Sequence, residues 1–152
     1  MVSIALFEPD IPQNTGTILR TADCLGVHVD IIEPCGFIFG GGHMRRAAMD
    51  YLHSVDYKLH DNFQAFLAYY KNYPSSRLIL ATTKASTSYT NFNFQNNDII
   101  LFGKESMGVP ECVHNIADSS ITIKMLAGKR SLNLAVSCGI IIAEALRQTQ
   151  AI

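Results

Sequence analysis

The stretch DIILFGKESMGVP, residues 98–110, contains the pattern that decides the fold. Residues 99–102 form a continuous apolar run, which is typical of a strand that is buried on both faces. Gly103 and Gly108 then frame a charged loop. Pro110 follows at a place suited to open a helix, where its missing N–H costs nothing. The stretch therefore predicts a strand, a loop and a short helix in succession.

The same alternation extends along the chain in both directions. Apolar runs predict further strands at residues 3–7, 27–32, 55–59, 78–82 and 120–123, and helical periodicity predicts helices at residues 14–25, 61–70 and 133–148. Continuous apolar strands that alternate with helices favour a mostly parallel sheet with helices on both faces. Because no linker or repeat interrupts them, these elements predict a single α/β domain over residues 1–152.

Capping residues mark several predicted helix boundaries. Asn14 is predicted to cap the first helix and Gly26 to end it, and Asp61 is predicted to cap the helix that follows it. A glycine-rich loop over residues 36–42 leads into a short basic segment with Arg45 and Arg46. This segment shows no regular periodicity of apolar residues.

The composition is that of a well-packed globular protein, with 48% hydrophobic and 16% charged residues. No apolar run approaches the roughly 20 residues of a membrane span. The N-terminus lacks the basic region of a signal peptide. We therefore expect a cytoplasmic protein without membrane contact. The net charge of −1 is unusually low for an RNA-binding protein, although phosphate contacts depend on clustered Lys and Arg rather than on total charge.

The sequence offers no sign of disulfides or of a metal site. Its four cysteines lie far apart without a CxxC pair, which predicts buried free thiols in a reducing compartment. The five histidines show no metal-ligand spacing, so we expect no bound metal.

Ligands of open α/β sheets bind beyond the carboxyl ends of the strands, so three loops are of interest. The first, residues 14–20, contains Asn14 and Arg20, which alone are typical of a helix cap and a solvated helix residue. The second is the glycine-framed loop quoted above. The third, residues 123–134, alone is typical of a surface loop with a helix cap; it holds Lys124, Lys129, Arg130, Ser131 and Asn133.

Familiar nucleotide and hydrolase motifs do not fit these loops. A Walker loop needs a glycine five positions before its Gly-Lys pair, but Asp98 and Ile123 occupy those positions here. Gly40-Gly41-Gly42 follows no strand-to-helix turn and is predicted to be a flexible loop. No nucleophile elbow, HExxH motif or carboxylate cluster indicates hydrolysis.

Taken together, the three loops resemble the SPOUT class of RNA methyltransferases, and within it the short SpoU-type enzymes that methylate the 2′-hydroxyl of the tRNA wobble nucleotide. The resemblance covers nearly the whole chain. It rests on LFEPDIPQNTGTILR at residues 6–20, IEPCGF at 32–37, the Arg45-Arg46 and Asp50-Tyr51 segment, TTK at 82–84, FGxExxG at 102–108, and RSLNL at 130–134 with EAxRQ at 144–148.

The resemblance implies a deep trefoil knot in the last third of the chain, whose loops hold S-adenosylmethionine. Adenine recognition largely by main-chain groups is then expected, since small residues let the backbone approach a ligand closely. The positions implied for cofactor binding are Ala81, Thr82, Gly103, Glu105, Gly108, Ile123, Met125, Ser131, Leu132 and Asn133.

The implied reaction is an SN2 methyl transfer to a ribose hydroxyl, which needs alignment and control of the hydroxyl proton but no metal. By resemblance Arg20 is the residue that activates this hydroxyl. Because guanidinium groups stay protonated in proteins, we expect Arg20 to orient the hydroxyl and stabilise developing alkoxide charge. Asn14, Glu105, Ser131 and Asn133 are expected to position Arg20, the loops and the substrate.

A tRNA surface and a homodimer are also expected. The loops that carry Arg45, Arg46, Lys84, Lys104, Lys124, Lys129 and Arg130 could meet at one edge and contact RNA phosphates; the alternative is scattered solubilising charge. The last helix is apolar over more than one stripe, which predicts partners on two sides, one of them a second subunit. In related enzymes the arginine corresponding to Arg20 serves the partner's site.

The chain departs from the wobble-nucleotide enzymes at a few positions, chiefly Met107, where an arginine is usual. This departure bears on the target nucleotide more than on the reaction. Two alternatives remain open from the sequence: the same chemistry on ribosomal RNA, and a non-catalytic RNA-binding α/β module.

Overall fold

The computed structural model describes residues 1–150, apart from the side chains at positions 49 and 50. Asp50, which is part of one motif quoted above, therefore has a side chain outside the described residues. The strands are β1 Ser3–Phe7, β2 Val29–Ile32, β3 Tyr57–His60, β4 Arg77–Ala81, β5 Asp98–Phe102 and β6 Ser119–Ile121. The helices are α1 Pro12–Leu25, α2 Gly42–Ala48, α3 Phe63–Tyr70, α4 Glu111–Ile116 and α5 Leu134–Gln148, with short 3-10 helices at Met49–His53 and Tyr89–Asn91.

The six described strands form one sheet in the order β3-β2-β1-β5-β4-β6. Every pairing within it is parallel. The prediction of a mostly parallel sheet is thus confirmed. The strand order reverses direction between β1 and β5, and crevices at the carboxyl ends beside such a reversal are the usual ligand sites of these folds.

Helices cover both faces of the sheet, as predicted. Alternate residues of each strand point to opposite faces. In β5, Ile100 and Phe102 belong to the core that contains buried residues of α1, α2 and α5. Ile99 and Leu101 belong to the second core, which includes Phe66 of α3 and Val113 of α4.

Gly16 allows α1 and α2 to pack in direct backbone contact. A Cβ at this position would lie 2.6 Å from the Cβ of Ala47 and 2.7 Å from its carbonyl carbon. Such distances are far inside van der Waals contact, so a larger residue would force the two helices apart. The glycine of the first motif therefore has a packing role that brings α2, with Arg45 and Arg46, against α1.

Some predicted boundaries were wrong. α1 begins at Pro12 after Ile11, and Asn14 lies inside the helix instead of capping it. Pro12 at the first position needs no hydrogen-bond partner for its nitrogen, so the helix can start without a polar cap. The side chain that caps α3 belongs to Asn62, not Asp61. Gly26, in the left-handed conformation, does end α1 as predicted.

Two further expectations need correction. The basic segment forms the helix α2, which no periodicity had predicted, because its stabilising contacts come from α1. The four cysteines are free, but Cys24 and Cys112 are exposed rather than buried. Within residues 1–150, no helix combines the length and apolar character that a membrane crossing requires.

Candidate active site

A cavity of about 450 Å³ opens at the carboxyl ends of β4, β5 and β6. The loops that follow these strands form its walls, and the N-terminal turns of α1 and α5 complete it. All ten residues that the resemblance implied for cofactor binding line this one cavity: Ala81, Thr82, Gly103, Glu105, Gly108, Ile123, Met125, Ser131, Leu132 and Asn133. Three loops that are distant in sequence therefore meet at one cavity.

The loop after β5 is closed by its two glycines. The main chains of Lys104 and Gly108 exchange hydrogen bonds of 3.1 and 2.9 Å. A Cβ on Gly103 would lie 2.6 Å from the carbonyl carbon of Gly108. Gly108 itself has φ 68°, a left-handed conformation that glycine adopts without strain. Both glycines are thus required for a tight loop that leaves the backbone exposed to the cavity.

Asn14 joins two walls of the cavity through its side chain. Its Nδ2 donates to Glu105 Oε1 at 2.9 Å. Its Oδ1 accepts from Asn133 Nδ2 at 2.8 Å. Asn14 is buried, with 8% of its surface exposed, whereas Glu105 is half-buried and Asn133 is exposed, so both bonds are partly shielded from water. The three residues, predicted separately from three loops, form one hydrogen-bonded relay.

Asn133 also caps α5. Its Oδ1 accepts from the main-chain nitrogens of Ala135 and Val136 at 2.9 and 3.2 Å. The side chain therefore uses its oxygen for the helix and its NH₂ for Asn14. Asn133 thereby links the start of α5 to α1.

A second set of contacts, which the sequence did not reveal, holds the loop after β1 against the loop after β5. Asp10 donates its main-chain N–H to Glu105 Oε2 at 2.8 Å. Its carboxylate accepts from both the main-chain nitrogen and the hydroxyl of Ser106. Nothing in the spacing of Asp10 and Ser106 signals this pairing, because 96 positions separate them.

Lys104 forms an ion pair with Glu8, which the sequence also did not reveal. The distance from Lys104 Nζ to Glu8 Oε2 is 2.8 Å, and each side chain is 24% exposed. The hydrogen bond to Glu8 raises the pKa of Lys104, against a smaller opposing effect of burial. Lys104, expected on the RNA surface, is thus a partly buried cation in the cavity wall.

Arg20 does not line the cavity of its own chain. It lies on the exposed side of α1, where its guanidinium sits 5.2 Å from the ring centroid of Tyr51. Six positions along α1 correspond to about 9 Å, which takes Arg20 well beyond Asn14. The structure of one chain thus brings together four of the five residues expected to be catalytic and leaves Arg20 outside.

The remaining basic residues of the expected RNA surface are exposed. Of these, Lys84 lines the cavity mouth. Arg46 contacts His43 Nδ1 at 3.0 Å on α2. The exposed members are Arg45, Arg46, Lys84, Lys124, Lys129 and Arg130.

Cys35 lies near this site but is a poor nucleophile. Burial, followed by the charges of Glu33, Glu105 and Glu8, raises the pKa of its thiol to about 12. A thiol reacts as the thiolate, so Cys35 is a weak nucleophile at neutral pH. Among the described residues, no three or more His, Cys, Asp or Glu side chains are grouped to hold a metal ion.

Comparison with known proteins agrees with this geometry. Residues 1–143 match the model of the SpoU rRNA Methylase family. A tRNA (cytidine(34)-2'-O)-methyltransferase of Beijerinckia indica subsp. indica is 50% identical over 149 residues, which cover 98% of this chain and 92% of the relative. The protein of the same name from Escherichia coli K12 is 35% identical over 150 residues, which cover 97% of this chain and 94% of the relative.

Solved structures agree as well. A structure from work on the 2-OH methylation of C/U34 on tRNA has a TM-score of 0.91 at 38% identity, covering 97% of this chain and 95% of that one. AviRb from Streptomyces viridochromogenes, in complex with AdoMet, shares the fold with a TM-score of 0.88 at 21% identity. The match covers 97% of this chain and 60% of AviRb. The family match over residues 1–143 and the identities over nearly the full length show that the chain belongs to the SpoU methylase family.

Proposed function

We propose that this chain uses S-adenosylmethionine to methylate the ribose 2′-hydroxyl of a tRNA nucleotide, the wobble pyrimidine at position 34. One observation carries the proposal: ten residues assigned from sequence to cofactor binding line a single cavity. Relatives named tRNA (cytidine(34)-2'-O)-methyltransferase match nearly the whole chain and support position 34 as the target.

The cavity suits the cofactor in size and lining. Its volume of about 450 Å³ lies within the range of small-molecule sites. Apolar side chains of Leu80, Ile121 and Leu132 offer a surface for adenine, and the backbone around Gly103 is open to polar contact. S-adenosylmethionine supplies a methyl group on a positively charged sulfur, and the carboxylate of Glu105 in the cavity wall favours a cation there.

The chemistry of the chain's own residues is alignment and charge stabilisation. We assign Arg20 to the substrate hydroxyl, where a protonated guanidinium orients the oxygen and stabilises negative charge as the proton leaves. The relay of Asn14, Glu105 and Asn133 holds the cavity walls in fixed relative positions. Ser131, at the cavity edge, is assigned to contact the substrate. Alignment of this kind is the main requirement of an SN2 transfer.

A homodimer explains why Arg20 lies outside the cavity of its own chain. The outward side of α5 carries apolar residues at helical spacing, with Val136 52% exposed and Ile140 and Ala143 on the same stripe. We propose that a second copy packs on this stripe and that Arg20 of each subunit serves the cavity of the other.

Mixed dimers test this arrangement. The Arg20→Ala variant lacks the arginine, and Thr82→Trp fills the cavity while keeping Arg20. If Arg20 acts across the interface, each mixed dimer has one complete site, and an equal mixture regains roughly a quarter of wild-type activity. No recovery, with dimers present by light scattering, would place Arg20 and the cavity in the same subunit.

We further propose an RNA-binding surface formed by Arg45, Arg46, Lys84, Lys104, Lys124, Lys129 and Arg130. All but Lys104 are exposed, which supports the assignment. Lysine and arginine side chains that contact phosphates fix the position of the nucleic acid without reading its sequence. A tRNA substrate also supports the cytoplasm as the place of action.

The C-terminal trefoil knot is also part of the proposal. β6 lies at the sheet edge beyond β4, yet α5 returns to pack on α1 near the middle of the molecule. The segment between them, residues 122–133, must pass the loop after β5 to make this return. An experimental density map traced from residue 103 to residue 134 tests whether it threads through that loop.

Methyl transfer decides the main proposal. Labelled S-adenosylmethionine is incubated with the protein and either bulk tRNA or ribosomal RNA, and the nucleosides are separated by mass spectrometry. We expect 2′-O-methylated pyrimidine from tRNA alone. Label in ribosomal RNA only would reassign the substrate, and cofactor binding without transfer to either RNA would favour a non-catalytic module.

A further inference from the structure

Glu8 has a backbone conformation that its residue type rarely adopts. It follows β1 directly and has φ 44°, in the left-handed region. Residues other than glycine persist there only when their surroundings hold them, and such residues cluster at functional sites. Here the Glu8 N–H donates to the Ile32 carbonyl at 2.9 Å, which anchors the residue to the end of β2.

This conformation aims the Glu8 side chain at Lys104. The 2.8 Å ion pair joins the end of β1 to the loop after β5, and both side chains are largely shielded from solvent. An ammonium group has three N–H donors, and Glu8 Oε2 takes one of them. Lys104 is among the residues that line the cavity, and Glu8 is the one hydrogen-bond partner of its ammonium among the described residues, which leaves two N–H donors for a ligand. Asp10 is the second carboxylate whose charge acts on Lys104.

The ion pair is not the only contact that holds the loop in place. Asp10 already attaches this loop to the loop after β1, through bonds to Glu105 and Ser106. Asn14 attaches it to α1 through Glu105. A strained residue that contributes one more contact to a loop already fixed is better explained by the position of its partner's charge.

We propose that Glu8 is a positioning residue, which fixes the ammonium of Lys104 in the cavity wall as a donor to an anionic oxygen of a bound substrate. The inference rests on the proposed function. The proposed substrates carry two anionic groups of this kind: a phosphate of the target nucleotide and the carboxylate of the cofactor's methionine part. Both accept a charge-assisted hydrogen bond from an ammonium.

A double-mutant cycle separates positioning from a structural role. Wild type, Glu8→Gln, Lys104→Gln and the double variant are compared for kcat and KM with tRNA, and for binding of S-adenosylmethionine and of methylthioadenosine, which lacks the carboxylate. We expect each single variant to weaken one substrate by about tenfold with kcat little changed. The double variant is expected to be no worse than Lys104→Gln, because Glu8 acts through Lys104.

The pattern of losses identifies the oxygen. A raised KM for tRNA assigns Lys104 to a phosphate, whereas weaker S-adenosylmethionine binding with unchanged methylthioadenosine binding assigns it to the carboxylate. Either result supports the proposal. Additive losses in the double variant, or Glu8→Gln behaving like wild type, would overturn it while leaving the proposed function intact.

Two controls complete the experiment. Glu33→Gln removes an equal charge from the end of the neighbouring strand and should keep wild-type constants. Glu8→Asn places a residue that tolerates the left-handed region at this position, so it should fold normally and still show the loss. No methyl transfer by the wild-type protein to tRNA would overturn both this inference and the proposed function.

Discussion

The side-chain amide of Asn133 donates to the side-chain oxygen of Asn14 at 2.8 Å, although 119 positions separate the two residues. Neither amide has a choice of orientation. Asn14 must present its NH₂ to the Glu105 carboxylate, and Asn133 must present its oxygen to the first turn of α5. The carboxylate at one end and the helix N-terminus at the other thus set the direction of every bond in the relay.

This directionality predicts a specific effect of Asn133→Asp. Aspartate caps helices as well as asparagine does, so α5 should keep its cap. A carboxylate has no N–H to offer, however, and would face the Asn14 oxygen as a second acceptor. We expect cofactor affinity to fall about tenfold, as for one lost hydrogen bond and an unpaired acceptor on the buried Asn14.

Calorimetric titration of the Asn133→Asp variant with S-adenosylmethionine is the measurement, and Asn133→Ala is the comparison. Alanine removes both the cap and the donor, so it should also lower the free energy of unfolding by about 1 kcal/mol. Equal cofactor affinity in wild type and Asn133→Asp would show that the relay does not hold the cavity.

Arg20→Ala is expected to abolish methyl transfer while leaving cofactor affinity nearly unchanged. The physical reason is that Arg20 is assigned to the substrate hydroxyl and not to the cofactor, and it lies outside the cavity of its own chain. Arg20→Lys keeps the charge but loses the planar fork of donors, and should recover little activity. Single-turnover transfer and equilibrium dialysis measure the two properties. Unchanged turnover in Arg20→Ala would remove Arg20 from the mechanism.

Gly16→Ala should destabilise the protein by about 1–3 kcal/mol, the usual cost of overpacking. The new Cβ would collide with Ala47 at 2.6 Å, and backbone atoms of α2 cannot move away as a flexible side chain could. Gly42→Ala is the matched control, because Gly42 is exposed at the start of α2 and a Cβ there meets nothing within 4 Å. The free energy of unfolding of the control should rise by up to about 1 kcal/mol, because alanine has a higher helix propensity than glycine. Urea unfolding of both variants checks the contrast, which would vanish if α1 and α2 could separate freely.

The stability of the fold should depend on pH through His28. Its Nδ1 lies 2.9 Å from Asp56 and its Nε2 lies 3.5 Å from Asp30. The nearby carboxylate of Asp30 is the main cause that raises the pKa of His28 above 6.5, and burial opposes it. A raised folded-state pKa means that protonation stabilises the fold. This contribution is complete below pH 6.5 and is lost as pH rises through the folded-state pKa.

We therefore expect His28→Gln to lower the free energy of unfolding more at about pH 5 than at about pH 9. Urea unfolding at the two pH values measures the difference. His53→Gln, at an exposed histidine, is the control and should show little pH-dependent change. An effect of His28→Gln that is the same at both pH values would contradict the linkage.

RNA binding should depend steeply on salt through the loop that precedes α5. Reversing Lys129 and Arg130 to glutamate removes two phosphate contacts, so affinity should drop and the salt dependence between about 50 and 200 mM should become shallower. Lys58 and Lys71, which are exposed and do not line the cavity, provide a control with the same change in net charge. Filter binding at several salt concentrations measures both slopes. Equal losses in the two double variants would indicate scattered rather than clustered charge.

Features that depend only on neighbouring residues were predictable from the amino-acid sequence. Apolar runs such as residues 99–102 predicted buried strands, and the left-handed Gly26 was predictable as a helix end because only local backbone strain decides it. The three loop motifs determined the family, since their residues and order are specific together. Strand pairing in a parallel sheet then places those loops at one edge without further information.

The roles of individual polar side chains, in contrast, depend on contacts that form only in the folded chain. Asn14 has the residue type of a helix cap, but the competition between capping and a buried bond to Glu105 depends on a contact across 91 positions. Lys104 has the residue type of a phosphate ligand, but Glu8 lies beside it only after β1 and β5 pair. Local propensities are decided by a few neighbouring atoms, whereas the partner of a buried polar group is decided by the packing of the whole chain.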